Sequence, residues 1–428
     1  MDLNNVEFTW IKNKPMNWKI HRVKNHFVLT KNKTDSPEGY PILSLTMRGI
    51  IERDISSNEG QLPETYNGYN LLEKDDIVFN PMDLISGWVD SSPHEGLISP
   101  SYKVIRPISS EVDIKFYTYY FQTHYKEKIF FPFGEGVHYE YRWGLGTETL
   151  KNFPIVVPPL SEQQQIVSFL DSKTSLIDSL IEKTQRKIEL LKEKRTSLIN
   201  EVVTKGLNPN VEIKDSGVEW IGKIPCHWGI GKLYQYSEMS NGSTPSRVKP
   251  EYWENGTIPW MSSGEINKKK IRVIDGRITQ EGFENSSTKL LPIGTVMMGL
   301  NGQGKTKGTV GILEIETTCN QSLCGMIFND CMNPMFSYYF LDSQYYHIRG
   351  LVGEGKREGI SVSFLGRYPL VVPPLKEQQQ IVDYLDEQTQ KIDKTISIEE
   401  KRIELLKEYR QSLISEVVTG KLKVTTDE

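Results

Sequence analysis

Pro158-Pro159-Leu160-Ser161-Glu162-Gln163-Gln164-Gln165-Ile166-Val167 opens a stretch that runs to Leu207. The chain writes it a second time, from Pro373-Pro374-Leu375-Lys376-Glu377-Gln378-Gln379-Gln380-Ile381-Val382 to Leu422. About 30 of roughly 50 aligned positions are identical at one constant offset, so the fold is an internal duplication. Each copy predicts one long helix. Apolar residues at Ile166, Leu170, Ile177, Ile181, Ile188, Leu191, Leu198 and Val202 step by three, four or seven, as do Ile381, Leu385, Ile392, Ile396, Ile403, Leu406, Leu413 and Val417. Such steps keep one apolar stripe on a 3.6-residue helix. Sustained over about six heptads and flanked by Lys and Glu, the stripe reads as a coiled-coil seam.

Prolines stand only before each helix, where they cost no helical hydrogen bond. A helix of about 43 residues would span ~65 Å, longer than one globular core needs. Two equal stripes in one chain predict that the helices pair; otherwise each is the long helix of an ordinary domain. Thr174 and Thr389, Thr184 and Glu399, and Arg195 and Arg410 interrupt the stripe at matching heights, where polar groups can fix register. Ser161 with Gln164 would form a capping box, but Lys376 stands in place of the serine in the second copy.

Outside the helices the duplication continues. The opening Trp10-Ile11, Pro15, Trp18-Lys19-Ile20 returns as Trp220-Ile221, Pro225, Trp228-Gly229-Ile230. Phe153 to Val157 and Tyr368 to Val372 each supply a last strand before the diproline. Tyr117 to Phe121 and Phe336 to Phe340 match as well, and read as short core-packed helices rather than base-stacking platforms. The organisation is therefore residues 1–157, a helix over 158–207, a linker and second unit over 208–372, and a second helix over 373–428. The class is mixed α/β (α+β), with short strands and Gly, Pro, Asn and Asp turns. The two middles differ strongly, which suggests a pair of readers for two targets.

A chain of 428 residues holds two to four domains with real cores. Its net charge of −4 argues against a uniformly basic nucleic-acid binder, unless positive residues gather locally. Met1 to Asn5 lacks a signal-peptide profile and no run of about 18 apolar residues appears, so a cytoplasmic location is expected. Cys226, Cys319, Cys324 and Cys331 match no zinc pattern and read as reduced thiols.

Several motifs carry chemistry elsewhere. Gly299 to Thr306 matches the phosphate-binding G-x-x-x-x-G-K-T pattern, with Lys305 for the terminal phosphates and Thr306 for magnesium. Lys307 to Leu313, directly after it, is rich in glycine and β-branched residues where a helix should face the anion, so a cationic loop is the expected use. Asn333-Pro334-Met335-Phe336 and Asn80-Pro81-Met82-Asp83 each lack the second proline of an amino-methyltransferase motif. Asp113-Ile114-Lys115 with Glu111 has fragments of a nuclease carboxylate-lysine pattern, but one so short arises often by chance and reads as solvated surface, and the seven histidines show no ligand spacing. No catalytic residue and no metal or cofactor site is assigned to the chain. Basic residues bunch at Lys268-Lys269-Lys270 with Arg272, at Lys305 with Lys307, at Lys356-Arg357, and at Lys19, Arg22 and Lys24.

The chain resembles the specificity subunit of type I restriction-modification systems. The resemblance is carried by Pro-Pro-Leu-x-Glu-Gln at Pro158 and Pro373, by helices ending in Ser-Leu-Ile-x-Glu-Val-Val, and by the Trp-Ile…Pro…Trp openings. It covers nearly the whole chain. It implies two target-recognition domains, each reading half of a split DNA sequence, joined by two helices in an antiparallel coiled coil with an internal pseudo-twofold. It further implies two methyltransferase subunits docked on the helices, with S-adenosylmethionine on those partners, and restriction subunits that use ATP and magnesium. The candidate DNA contacts are Arg48, Met82, Ser86 and Arg142 in the first domain. In the second they are Asn241, Ser243, Thr244, Arg247, Ser262, Ser263, Lys269, Asn301, Gln303, Lys305, Lys307, Lys356 and Arg357. The rival readings are a P-loop NTPase built on Gly299 to Thr306 and a coiled-coil scaffold that reads nothing.

Overall fold

Both diproline stretches launch long helices, Leu160–Lys205 of 46 residues and Leu375–Val418 of 44. The computed structural model describes residues 9–12, 14–35, 37–54, 63, 65–136, 143–302, 304–351 and 359–424. Two units divide the chain: Met1–Gln185 with Lys401–Glu428, and Arg186–Glu400. Each unit thus takes in half of both long helices. Among the described residues no helix is long and apolar enough to cross a membrane.

In the first unit an antiparallel sheet runs in the order Phe27–Thr30, Lys103–Pro107, Ile77–Phe79, Val89–Ser91. The opening strand Lys19–Arg22 pairs with the closing strand Pro154–Val157, so the two ends of the domain meet where the helix begins. The helix Ile114–Lys126 buries Phe116, Tyr117, Tyr120 and Phe121 as core. Ile166, Leu170 and Ile177 from the first long helix enter the same core, together with Leu413, Ile414, Val417 and Val418 from the second.

The second unit repeats the frame with different contents. Its five-stranded sheet runs Ser237–Asn241, Leu323–Phe328, Val296–Gly299, Val310–Leu313, Lys270–Ile271, with only the last pair parallel. Gly229–Lys232 pairs with Pro369–Val372. Ile199, Val202 and Val203 come from the first long helix and Ile381, Val382 and Leu385 from the second.

Within each unit the helix halves run antiparallel. In the second unit Arg195 pairs with Asp393 at 3.0 Å and Lys187 with Glu399, so rising numbers on one helix meet falling numbers on the other. In the first unit Arg410 pairs with Asp178 at 2.9 Å, the repeat-related partner of the Arg195 bridge. These bridges are partly exposed and contribute little stability, so register is their main effect. Thr174, Thr389 and Thr184 instead donate to carbonyls one turn back on their own helices, those of Leu170, Leu385 and Leu180. Glu399 is the polar seam residue that is buried and paired, with Lys187. Ile181, Leu191, Leu198 and Leu406 are only half-buried, whereas Ile199, Val203, Ile414 and Val418 are buried. The expected residues nearest the helix ends, Ile166, Leu170, Val202, Ile381, Leu385, Leu413 and Val417, stay buried, so the stripe is widened where the domain cores cover the helices and narrower between them.

The repeated Glu-Gln pair explains the attachment. Trp18 Nε1 donates to Glu162 at 2.9 Å, and Trp228 Nε1 to Glu377 at 3.0 Å. Gln163 is fully buried: its amide donates to the carbonyls of Pro158 and Glu111, both at 2.8 Å, and its oxygen accepts from Asp113 N–H at 2.8 Å. Gln378 repeats this with the carbonyls of Pro373 and Cys331 and the N–H of Asn333. Tyr119 to Asp171 and Tyr339 to Asp386 form a further matched pair. The helices end at Gly206 and Gly420, at φ +77° and +75°. A Cβ on Gly420 would lie 2.3 Å from Pro15 Cδ, so the Pro15–Trp18 turn closes on a residue without a side chain. Ser161 and Gln164 do not form the expected box; the adjacent Glu162 and Gln163 do the anchoring, through partners distant in sequence.

Gln163→Ala and Gln378→Ala each strand buried backbone groups and are expected to destabilise their own unit by about 1–3 kcal/mol, read by denaturant unfolding. His124 in the first core sits among Tyr120, Phe130 and Phe153, and burial lowers its pKa to about 3. Unfolded, it takes up a proton near pH 6.5, so its burial costs stability progressively as pH falls from about 6.5 towards 3. Melting temperatures measured across that window should fall, and His124→Phe should flatten this part of the slope.

Candidate nucleic-acid interface

In the second unit Met298 lies opposite Val310 across an antiparallel hairpin, and the described residues between them include turns with Gly302, Gly304 and Gly308 at positive φ. A strand, Val310–Leu313, follows where a P-loop needs a helix N-terminus. The NTPase alternative therefore lacks its anion cradle. Arg349 donates to the carbonyls of Gly304 at 2.7 Å and Lys307 at 3.1 Å, and Tyr345 Oη to that of Lys305 at 3.1 Å, which pins the hairpin tip. Asn301 and Lys305 are exposed. Lys307, expected as a contact, is 8% exposed, because the turn folds it under the tip.

The basic bunch after Ser263 is consumed internally. Lys269 is held by Asp342, Lys270 by Asp386 at 3.4 Å, Arg272 by Glu314, and Lys268 donates to the Val273 carbonyl at 3.0 Å. Lys269 therefore carries a neutralised charge, which its sequence neighbours could not reveal since Asp342 is far along the chain. Ser262 receives its own constraint: its N–H donates to Glu265 at 2.9 Å, capping the 3₁₀ turn Ser263–Lys268.

The loop after Ser237–Asn241 is held differently. Ser243 N–H donates to the Cys319 carbonyl at 2.9 Å, and the Gly242 α-carbon packs so closely on that carbonyl that a Cβ would lie 1.9 Å from it. Thr244 Oγ1 donates to Gln321 at 2.6 Å. Beyond them the Arg247 guanidinium stands over Trp253 and Trp260. Asn241, Thr244 and Arg247 are thus on one strand end and its loop, joined by Gln321 from the turn that follows Thr318–Cys319. Sequence reasoning passed over Gln321, Trp253 and Trp260. The signal was available for the tryptophans, which lie within 14 residues of Arg247.

In the first unit Arg48 is exposed at the tip of the hairpin Leu43–Thr46/Gly49–Glu52. Met82 is exposed, and Ser86 bonds Asp83 in the same turn. The turn and Arg48 belong to different loops. Arg142, Gln303, Lys356 and Arg357 lie outside the described residues. The motifs borrowed from enzymes have structural uses: Asn333 caps the helix Pro334–Ser343 through the N–H groups of Met335 and Phe336, and Asp113 caps Ile114–Lys126. Lys115 pairs with Asp171. Burial pushes the Cys319 and Cys324 thiols up to about 12, which keeps them protonated.

Residues 19–190 and 225–408 match the family model described as type I restriction modification DNA specificity domain. The chain belongs to this specificity family. It is 26% identical over 342 residues to the EcoR124I/EcoR124II specificity subunit of Escherichia coli, covering 76% of each protein. A chain from a solved type I R-M system superposes with a TM-score of 0.74 at 15% identity, over 96% of this chain and 99% of that one. The HsdS subunit from Thermoanaerobacter tengcongensis gives 0.59 at 14% identity, over 96% and 98%. Such likeness shows the fold of a specificity subunit. Both matched regions start at or near the opening strands and end inside the long helices, so the family pattern spans the anchoring contacts at Glu162-Gln163 and Glu377-Gln378.

The exposed Lys305 and the neutralised Lys269 separate surface charge from structural charge. Lys305→Ala is expected to weaken duplex binding roughly equally across sequences and to lower the salt slope by about 1. Lys269→Ala, whose charge is already paired with Asp342, should instead leave the salt slope unchanged; titrations of both variants at two salt concentrations separate the two.

Proposed function

We propose that this chain is the DNA-reading subunit of a type I restriction-modification complex, each unit reading one half of a bipartite site. The observation that carries the reading is the repetition of one frame around two dissimilar sets of loops. The openings, closing strands, Glu-Gln anchors and helix halves recur, while the sheets between them differ in strand number and order. A frame held constant around changed loops is what two sequences read by one chain require.

In this reading the chain directs methyltransferase and restriction subunits to the site and carries no reaction itself. Two methyltransferase subunits bind the helices and hold S-adenosylmethionine. The restriction subunits bring ATP and magnesium, and the complex works on DNA in the cytoplasm. The adenine to be methylated is flipped from the duplex into the partner methyltransferase. The paired helices act as a ruler, placing half-site centres about one DNA turn apart, ~10 to 11 base pairs, around an unread spacer.

Sequencing methylated adenines in cells that express the chain with its methyltransferase subunit tests this reading. The expected result is a split motif with a fixed gap, and a changed gap with unchanged halves when one heptad is added to both helices. A contiguous motif, or none while the two proteins associate, would overturn it.

A further inference from the structure

Most arginines of the second unit spend their donors on the protein. Arg272 is taken by Glu314, Arg277 by the carbonyls of Ile274 and Gly276, and Arg349 by those of Gly304 and Lys307. Arg247 is exposed, and among the described residues no carboxylate or carbonyl accepts from it. Its guanidinium is nevertheless held in place. It lies 5.0 Å from the centre of the Trp253 ring and 5.7 Å from that of Trp260, two rings set at 88° to each other.

Those rings are themselves tied to the loop that carries the arginine. Trp253 Nε1 donates to the Ser246 carbonyl at 3.1 Å and Trp260 Nε1 to that of Ser243 at 3.0 Å. The loop, the two indoles and the guanidinium therefore form one preorganised piece. A guanidinium within cation–π distance of two rings is restrained without spending its N–H donors on the protein, and its planar fork stays available to match paired acceptors. A residue meant only to neutralise phosphate needs no such restraint. Around it the loop offers Asn241 and the Thr244–Gln321 pair, neutral groups suited to base edges rather than to phosphates.

We propose that Arg247 reads a guanine in the half-site of the second unit, by paired hydrogen bonds to O6 and N7 in the major groove. The inference rests on the proposed function, in that the second unit must read DNA. Trp253 and Trp260 act as positioning residues: they restrain the guanidinium and lower the entropy lost when it docks.

The test uses the chain in complex with its methyltransferase subunit. Binding is measured on duplexes in which each base pair of both half-sites is replaced in turn, at two salt concentrations. The intact complex should discriminate one G·C pair of the second half-site by roughly 10- to 100-fold. In Arg247→Ala and in Arg247→Gln that discrimination should fall to near unity, while the other positions and the whole first half-site keep theirs. Trp253→Ala should weaken discrimination at the same pair and no other. Retained reading at the other positions of the second half-site reports that each variant is folded. A loss spread evenly over all positions with a salt slope lower by about 1 would make Arg247 a phosphate contact and overturn the proposal, as would unchanged discrimination in both Arg247 variants. If the intact complex discriminates at no position, the functional reading fails first.

Discussion

A buried amide ties each domain to its helix. Gln163 and Gln378 are wholly enclosed, and each satisfies two carbonyls and one N–H belonging to backbone that lies before a short helix and before the long one. A hydrophobic contact at that point would tolerate sliding. An enclosed amide does not, because any shift leaves polar groups unpaired where water cannot reach them. The angle at which each domain leaves its helix is thereby set by hydrogen-bond geometry. The indole-to-glutamate bonds and the tyrosine-to-aspartate bonds reinforce the same joint on either side. None of these contacts involves the loops that differ between the domains, so loops can diverge without loosening the joint.

Much of this architecture was legible in the chain because it is written twice. Self-comparison located both helices, both openings and both closing strands without any propensity argument. The purpose of the Glu-Gln pair was not legible, since the partners of Gln163 are backbone groups about 50 residues away and carry no side-chain signature. The seam residues expected near the helix ends, Ile166, Leu170, Val202, Ile381, Leu385, Leu413 and Val417, are buried, whereas Ile181, Leu191, Leu198 and Leu406 are only half-covered, and Ile199 beside Leu198 is a buried position the stripe did not include.

The candidate interface was legible in kind and not in detail. Lysines cluster in the sequence around 268–270, yet folding brings Asp342 and Asp386 against them, and the cluster becomes structural. Lys307 is two residues from the exposed Lys305 and is buried, because the chain turns at Lys307-Gly308 and folds it under the tip. Arg247 carried no special mark beside other arginines. Its distinction lies in the two indoles that flank its guanidinium, and ring geometry has no counterpart in composition. Charge counted along a chain overstates charge available at a surface, and in this acidic protein the difference decides which cations can meet a polyanion.

The division of the chain bears on its synthesis. The second unit is one continuous segment, Arg186–Glu400, whereas the first combines Met1–Gln185 with Lys401–Glu428 on either side of it. Leu413, Ile414, Val417 and Val418 lie in the first core, and they are made after the whole of the second unit. A ribosome building from the N-terminus releases the first part of this domain early but cannot complete it until the stretch beyond Glu400 emerges. The domain that starts first finishes second, and it passes the interval with an apolar face uncovered. Its closing contacts span nearly the whole chain, a separation that slows their formation. Premature termination anywhere in the second long helix beyond Glu400 would therefore leave the later domain whole and the earlier one open, a polarity opposite to that of most multidomain chains.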